Sequence, residues 1–358
     1  MKKTLARLIA VWSILLIFSG CQSNPTTAPE SASPSSPGAS SSASASPSTS
    51  AGSAKTGLAI LTSLTKSKDA ASADGLAEVD ATVVGVMVDK KGKIVKCAID
   101  AVEAKIGFDK KGQLKTPTTT MFKTNDELGD AYGLKAVSGI GKEWYEQANA
   151  FAKYVEGMTI DDVKNIKVDE KNYPTQSDLK ATVSISIGNF IKGLEKAVNN
   201  AKNGGAAESD RLSLGIITGM SQSKNASDSM EGLVYVTSTV ALLTRDTAGK
   251  ISGCILDETN SSINFTAQGR ITTDLAVDPQ SKNELKDAVG IKEQSGIGKE
   301  WFEQAEAFAK YVRGKMPGEV AGIAVDEKGF AVSSELRTSV AISIADFKAA
   351  IAQAASGV

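Results

Sequence analysis

Residues 138–144 read Ser-Gly-Ile-Gly-Lys-Glu-Trp, and residues 295–301 repeat the same seven amino acids 157 positions later. The stretch 138–157 is identical to its second copy at 17 of 20 positions. The offset holds without a gap from Lys93, which matches Lys250, to Phe190, which matches Phe347. A period of this length is that of a domain rather than of a solenoid repeat, so the sequence predicts two tandem modules.

The repeat and the composition divide the chain into five segments. We expect a lipoprotein signal peptide at 1–20, a lipidated cysteine with a disordered linker at 21–55, the first module at 56–203, a short linker at 204–210 and the second module at 211–358.

The amino terminus has the pattern of an export signal. Basic residues precede an apolar run at 8–18, and Ser-Gly-Cys follows at 19–21. This resembles the lipobox of bacterial lipoproteins, which implies that Cys21 is acylated and holds the protein in membrane lipid on the extracytoplasmic face of the cell membrane. An ordinary secretory signal is the alternative, and a membrane span is disfavoured because the run is short of ~20 apolar residues.

Residues 22–55 consist almost entirely of Ser, Ala, Pro, Thr and Gly. Such a segment has no apolar area to offset the entropy of ordering, so we expect a disordered tether.

The remaining composition excludes several classes of function. A formal net charge of −1 with 23% charged residues gives no reason to expect nucleic acid as a partner. The chain contains no histidine, which rules out imidazole as a catalytic base or as a haem or zinc ligand. Cys97 and Cys254 are equivalent in the two copies, and they are interpreted as buried thiols, with a disulfide between the modules as the alternative.

Each module opens with a pattern of antiparallel strands. Residues 82–88 and 93–100 are rich in β-branched residues and enclose a turn at 89–92 that ends in glycine, which is typical of a hairpin. A second turn at 109–112 continues the pattern, and the second copy repeats the scheme.

The second half of each module has helical periodicity. Apolar residues recur at i, i+4, i+7 and i+11 from Trp144 to Val155, before Gly157. A last helix is predicted from Leu179 to Val198, with Ser177 as its N-cap. The sequence therefore predicts an α+β fold, in which two tandem copies each form a small antiparallel sheet packed with two or three helices.

Residues 178–184 carry the strongest functional signal. They read Asp-Leu-Lys-Ala-Thr-Val-Ser, and this run at a helix start, together with the order of elements, resembles the FMN-binding domain family. That family occurs in membrane-anchored subunits of sodium-pumping quinone reductases and in extracellular flavin lipoproteins. In its motif, Ser-Gly-Ala-Thr-x-Ser/Thr, the first threonine carries FMN through a phosphoester.

The resemblance implies that Thr182 is the FMN attachment residue, with Ala181 and Ser184 at matching motif positions and Ser339 at the place of Thr182 in the second copy. It also implies a flavin transferase and a membrane redox partner. A helix start favours phosphate because of its free N–H groups and dipole. The alternatives are hydroxyl groups on a purely structural helix and a flavin bound without a covalent link.

Other candidate sites have two interpretations each. The glycine loop at 138–142 could hold an anion or make a tight turn into a helix, and Trp144 could stack on a ligand or fill the core. The matched acids, among them Asp100 and Glu143, are assigned to surface and turns.

Two functions follow from these patterns. The first is a membrane-anchored extracytoplasmic lipoprotein that binds FMN for electron transfer at the cell surface. The second is an envelope lipoprotein without enzymatic activity that binds a peptide, a glycan or a partner protein through its duplicated modules. In neither case do we expect an enzyme that acts by itself.

Overall fold

The repeated sequence folds into two four-stranded antiparallel sheets, each covered on its outer face by helices, in a computed structural model that describes residues 52–357. The predicted α+β fold with two sheet modules is therefore confirmed. The expected lipidation of Cys21 and nearly all of the tether lie outside the described residues.

The strands are β1 (Lys55–Ser63), β2 (Gly75–Val88), β3 (Ile94–Phe108), β4 (Met121–Phe122), β5 (Lys202–Asn203), β6 (Arg211–Gly219), β7 (Gly232–Arg245) and β8 (Ile251–Phe265). The predicted hairpin is the antiparallel pair β2 and β3, whose turn places Gly92 at φ +78°. Residues 93–100 extend into one strand that runs on to Phe108.

The helices are α1 (Asn125–Leu128), α2 (Trp144–Tyr154), α3 (Ile160–Lys164), α4 (Ser177–Lys180), α5 (Gly188–Asn199), α6 (Lys282–Leu285), α7 (Trp301–Val312), α8 (Pro317–Ala321), α9 (Ser334–Arg337) and α10 (Ala345–Ser356). Short 3-10 turns lie at Gly129–Tyr132, Leu134–Ala136 and Lys286–Val289. None of the helices within residues 52–357 is long and apolar enough to cross a membrane.

The helix predicted from Trp144 is confirmed as α2, with Gly157 in the left-handed conformation just beyond its end. The prediction of a single last helix from Leu179 to Val198 is wrong. The chain forms the four-residue α4, leaves helical geometry at 181–187 and begins α5 at Gly188. Ser177 is the first helical residue rather than the N-cap, which is Gln176. Leu179, Val183 and Ile187 are all buried, so the predicted apolar stripe is formed by two helices and the irregular segment between them.

The two sheets pack face to face. Side chains alternate along β2, so that Val79 and Val83 face the other sheet whereas Val84 and Val86 face the helices of their own repeat. The inner layer therefore mixes residues of both repeats, while each repeat keeps a separate core beneath its helices. The two copies are joined by a shared core as well as by the linker.

One strand crosses between the repeats. β4 belongs to the first repeat in sequence but pairs with β6 of the second, with Met121 opposite Gly219 and Phe122 opposite Thr218. The equivalent residues of the second repeat are Asp278 and Pro279, and they form no strand. Proline has no N–H to donate to a sheet, so the exchange is one-sided.

Candidate functional site

Thr182 lies in the irregular segment between α4 and α5, half-buried at the surface. Its hydroxyl donates to the carbonyl oxygen of Leu179 at 3.2 Å, and the N–H groups of Thr182 and Val183 donate to the same carbonyl. The expected position at a helix start with free N–H groups is therefore wrong, because these groups close the end of α4.

The neighbouring motif residues have different surroundings. Ala181 is exposed, whereas the N–H of Ser184 donates to Oε1 of Gln147 at 2.7 Å. Gln147 is fully buried on α2 and also donates to the carbonyl oxygen of Lys142. Because one buried amide joins both segments, the Thr182 segment is held against the start of α2.

The second repeat keeps this framework. The Ser339 hydroxyl donates to Leu336 O at 3.1 Å, just as the Thr182 hydroxyl donates to Leu179 O in the first repeat. Gln304 accepts a hydrogen bond from the N–H of Ala341 at 2.7 Å, in the place where Gln147 holds Ser184. The irregular segment is thus common to both copies, whether or not either hydroxyl carries a ligand.

The glycine loop at 138–142 is closed on itself. The Ser138 hydroxyl donates to Lys142 O and accepts from Lys142 N at 3.0 Å, with Gly141 at φ +61°. Of its two interpretations, this geometry favours the tight turn into α2. Ser138 and Gly139 nevertheless line the groove described next.

A groove of about 1080 Å³ opens in the first repeat, and its lining includes Ser184 but not Thr182. The half-buried Tyr132 also lines it, and so does Trp144, which is 8% exposed. Trp144 packs edge-on against Phe190, so of its two interpretations the structure favours the core.

The groove reaches the β1 edge at Thr62, where the second repeat presents Asp278. The groove thus lies where the missing reciprocal strand pair would be, at the edge that Pro279 leaves open.

A cluster of charged side chains forms one wall of this groove and extends behind it. It consists of Lys66, Glu78, Asp80, Glu103 and Lys105. Lys66 pairs with Asp80 at 2.7 Å and Lys105 with Glu103 at 2.5 Å, and the three acids offer oxygens within 4.8 Å of one another. The cluster carries three acids against two lysines.

The pKa values in the cluster follow burial and pairing. Burial, followed by the charge of Asp80, raises the pKa of Glu78. Burial also acts to raise the pKa of Glu103, but hydrogen bonds from Lys105 and the Tyr132 hydroxyl outweigh it and leave that pKa lowered. Burial raises the pKa of Tyr132, so this phenol stays protonated and donates to Glu103.

Three residues that line the groove each have one oxygen atom that is buried from solvent and has no hydrogen-bond partner among the described residues: Thr62 Oγ1, Asp80 Oδ1 and Asn125 Oδ1. Thr62 and Asn125 are only 4% and 2% exposed. The equivalent of Thr62 in the second repeat is Thr218, and its hydroxyl bonds to Ser238 at 2.9 Å. Leaving such atoms unpaired inside a protein costs free energy.

The second repeat fills the same place with its own side chains. Lys282, the equivalent of Asn125, pairs with Glu258 at 2.6 Å and stands 5.0 Å above the Trp301 ring. The equivalent of Glu258 in the first repeat is Ala101. The charged cluster has no counterpart, because its equivalents are the uncharged residues Gln222, Tyr235, Thr237, Asn260 and Ser262. Comparing the copies position by position could have found this difference in the sequence.

The start of α5 also lines the groove. Gly188, Asn189 and Lys192 line it, and the first N–H groups of an α-helix have no partner within the helix. The second repeat has Asp346 at the place of Asn189 and Ala349 at the place of Lys192. The helix start that favours an anion in the first repeat is therefore that of α5 at Gly188, eleven residues after the predicted N-cap Ser177.

The assignment of the matched acids to surface and turns is wrong for the buried ones. Glu143 is 2% exposed and accepts from the N–H groups of Leu134 and Lys135. Asp100 is also buried and accepts from the N–H groups of Ala101 and Asp126. Both carboxylates hold loop backbone, a role that spacing on a helix or strand does not reveal.

The two module cysteines are free thiols, Cys97 half-buried and Cys254 buried. Burial raises the pKa of both, that of Cys254 to about 12, so neither is a thiolate at neutral pH. The interpretation as thiols rather than a disulfide is confirmed.

A second cavity of about 620 Å³ lies between the repeats, beside the same β1 edge. The ion pair between Lys196 and Glu284, at 2.6 Å, joins residues of both repeats that line it.

Comparison with known proteins gives one partial match. The chain is similar to the chlorophenol reductase of Desulfitobacterium hafniense, with 36% identity over 98 residues that cover 24% of this chain and 29% of that protein. The chain therefore spans less than a third of this relative. No family model and no solved structure matches.

Proposed function

We propose that this protein is an extracytoplasmic lipoprotein, anchored through an acylated Cys21, that carries FMN for electron transfer at the cell surface. The observation that carries the proposal is the groove of the first repeat, whose lining includes Ser184, two residues after Thr182. Its volume of about 1080 Å³ leaves ample room for a flavin.

Two walls of the groove suit different parts of FMN. The start of α5 with Lys192 suits the phosphate, because a helix N-terminus and an ammonium group both attract an anion. The half-buried Tyr132 offers a ring against which a flat isoalloxazine can lie. FMN then supplies the redox chemistry, and the protein supplies binding and orientation.

The route of attachment has two forms. Thr182 keeps a half-buried hydroxyl whose only hydrogen bond among the described residues is to Leu179 O, so a transferase could reach it. The transferase would break the pyrophosphate bond of a flavin dinucleotide, join the FMN phosphate to the Thr182 oxygen and release the nucleoside monophosphate with the hydroxyl proton. Lys180 stands where the family motif has glycine, which favours FMN held by the groove without a covalent link.

Support from the relative is limited to its name. A protein named for the reduction of chlorophenols takes part in redox chemistry, and 98 residues of this chain resemble a part of it. We propose a shared use in electron transfer and no shared substrate. A membrane protein that exchanges electrons with the bound flavin is the partner this function requires.

The test is the flavin itself. The chain from residue 22 onward is produced with and without a flavin transferase, incubated with FMN and then dialysed exhaustively to remove unbound flavin. After dialysis it is expected to show the absorption of oxidised flavin. Fluorescence that survives a denaturing gel and is lost in Thr182→Ala identifies the phosphoester, with Ser339→Ala as the matched control.

A second variant tests whether the start of α5 binds the phosphate. Asn189→Asp places a negative charge at the start of α5, as Asp346 does in the second repeat, and is expected to weaken FMN binding about tenfold. Asp346→Asn is the control and should leave binding unchanged. A colourless protein that takes up no added FMN would refute the proposal and leave the binding lipoprotein without flavin.

A further inference from the structure

We infer that the cavity between β1 and β8 binds an organic carboxylate, with its anionic group at Arg313 and Lys202 and its carbon body along one face of α7. The volume of about 620 Å³ is that of a site for a small organic ligand. The cavity shares no lining residue with the groove proposed for the flavin, so the inference stands if no flavin is bound.

One face of α7 lines the cavity. Phe302, Glu306, Ala309 and Arg313 all belong to the lining, and they recur at i, i+4, i+7 and i+11, the spacing of a single helix face. At about 1.5 Å per residue, this face extends about 16 Å from Phe302 to Arg313. An elongated ligand on it has an aromatic residue towards one end and an arginine at the other.

Arg313 is the unpaired cation of this face. It is half-buried, its side chain has no hydrogen bond or ion pair with the described residues, and of its three nitrogens only Nε is shut off from solvent. One terminal nitrogen lies 4.0 Å from the place that a Cβ on Gly204 would take, so the guanidinium group spans from α7 to the end of β5. Its terminal N–H groups donate and cannot accept, and a carboxylate matches two of them at once.

Lys202 adds a second positive charge at the same end. A hydrogen bond from Lys310 lowers the pKa of Glu306, and the charges of Lys202 and Arg313 lower it further, so both cations lie near this carboxylate. Lys310 already pairs with Glu306 at 2.8 Å. Three cations therefore share one acid, and a bound anion balances the surplus.

The other charges that line the cavity balance one another. Glu284 is paired with Lys196 at 2.6 Å. Asp257 is buried, which raises its pKa to about 6, and its carboxylate accepts from two backbone N–H groups. Lys286, whose ammonium group lies 4.7 Å from the centre of the Phe302 ring, offsets the charge that Asp257 carries at pH 7. The surplus at Arg313 and Lys202 is therefore not cancelled within the lining.

Apolar side chains are available for the body of the ligand. Ile255 and Phe302 line the cavity and are only half-buried, so a ligand can cover their remaining apolar surface. Ala309, on the α7 face between Phe302 and Arg313, has a small side chain that leaves room beside the helix. The ligand class is thus a carboxylate with an aliphatic or aromatic body.

The first repeat has the opposite charge at the equivalent place. Glu156 stands at the position of Arg313, where it pairs with Lys153, and Gly129 stands at the position of Lys286. The positive end of the cavity belongs to the second repeat alone. Glu156 accordingly offers a matched control for Arg313.

The experiment uses the chain from residue 22 onward and octanoate as the probe, followed by titration calorimetry. Octanoate is expected to bind saturably. Octanamide, its uncharged analogue, should bind about tenfold more weakly. Butanoate, which keeps the carboxylate and has four carbons fewer, should also bind about tenfold more weakly, because it covers less apolar surface.

Methyl resonances of isoleucine locate the ligand. Octanoate is expected to shift the signal of Ile255, which lines this cavity, and to leave in place the signal of Ile185, which lines the groove of the first repeat. Ile255→Val and Ile185→Val assign the two signals. A shift of Ile185 without a shift of Ile255 would place the ligand in the other groove and overturn the inference.

Three variants complete the test. Arg313→Gln should weaken octanoate binding about tenfold, and Lys202→Gln, at an exposed position, should weaken it as well. Arg313→Lys keeps the charge and should retain part of the affinity, which separates loss of charge from loss of folding. Glu156→Gln is the control and should leave binding unchanged.

Four results would overturn the inference. They are the absence of octanoate binding, equal affinities for octanoate and octanamide, undiminished binding by Arg313→Gln, and inorganic sulfate bound as tightly as octanoate.

Discussion

Phe108 of the first repeat stacks on Phe265 of the second, with ring centroids 4.5 Å apart and planes 20° from parallel. The two residues are equivalent in the duplication, so this contact relates the repeats as a two-fold axis relates the subunits of a dimer. Reciprocal bonds surround it, from Ala70 N to Gly269 O and from Ala226 N to Gly112 O, both at 2.8 Å.

Phe108→Ala is expected to lower the free energy of unfolding by about 3–5 kcal/mol, the cost of removing a fully buried phenylalanine. Gly75 leaves room for the Phe108 ring, since a Cβ at position 75 would lie only 2.4 Å from it. Guanidinium denaturation followed by circular dichroism and by tryptophan fluorescence should give one coincident transition. The control is Tyr173→Ala at an exposed ring, expected within about 0.5 kcal/mol of the parent.

The repeats are also expected to stay together when the chain between them is cut. Glu208 and Ser209 are exposed, whereas Ala206 and Asp210 on either side are buried. A protease site inserted between Glu208 and Ser209 should yield two fragments that elute as one species in gel filtration. Elution as two independent species without denaturant would show that the shared core is too weak to join them.

The sequence predicts what repeats locally. The hairpin with Gly92 and the helix from Trp144 to Gly157 follow from turn chemistry and from a regular apolar stripe. The stripe from Leu179 to Val198 misleads, because buried residues keep a helical spacing while Gln147 holds the chain between them out of helical geometry. A buried amide from another element is invisible to periodicity.

The packing of the two sheets escapes prediction for a different reason. From Val83 to Val88 β2 is apolar on both faces, so alternation there gives no sign that one face covers helices and the other a second sheet. The charged cluster could be predicted in part from the sequence. Alignment of the two copies pairs Asp80 with Thr237 and Glu103 with Asn260, which shows that the first repeat has charges where the second has none. Only the fold shows that Asp80 and Glu103 lie close together.

Gln147→Leu is expected to destabilise the protein by about 1–3 kcal/mol, because it leaves the Ser184 N–H and the Lys142 carbonyl without their partner. Its specific signature is local. Hydrogen exchange at residues 181–187 should accelerate more than at β2. Gln304→Leu is the matched change in the second repeat and should loosen residues 338–344 instead. Uniform acceleration across the chain would contradict the role assigned to Gln147.

The two thiols are expected to be unreactive in the folded protein. Burial raises the pKa of Cys97 and Cys254, and the thiolate is the species that reacts. In the chain from residue 22 onward, a disulfide reagent at pH 8 should titrate no thiol quickly under native conditions and two after unfolding. Rapid modification of the native protein at either cysteine would show a loosely packed outer sheet face.

Stability is expected to fall as the pH rises from 5 to 8. Burial, followed by the charge of Asp126, raises the pKa of Asp100 to about 7, and burial raises that of Asp257 to about 6. Aspartate in an unfolded chain titrates near pH 3.9, so the folded protein binds these protons more tightly. This stabilisation is complete below about pH 4 and is lost as the pH rises through 6 and 7.

Asp100→Asn resembles the protonated acid and keeps an oxygen for the N–H groups of Ala101 and Asp126. The variant should therefore lose less stability than the parent between pH 5 and 8, by about 1.4 kcal/mol for each pH unit between 5 and the folded pKa of Asp100, which is about 7. Denaturant midpoints measured at each pH give the difference. Asp169→Asn, in an exposed turn, is the control and should keep the parent slope. A parent that gains stability over this range, or equal slopes for Asp100→Asn and the parent, would show that Asp100 is ionised in the fold.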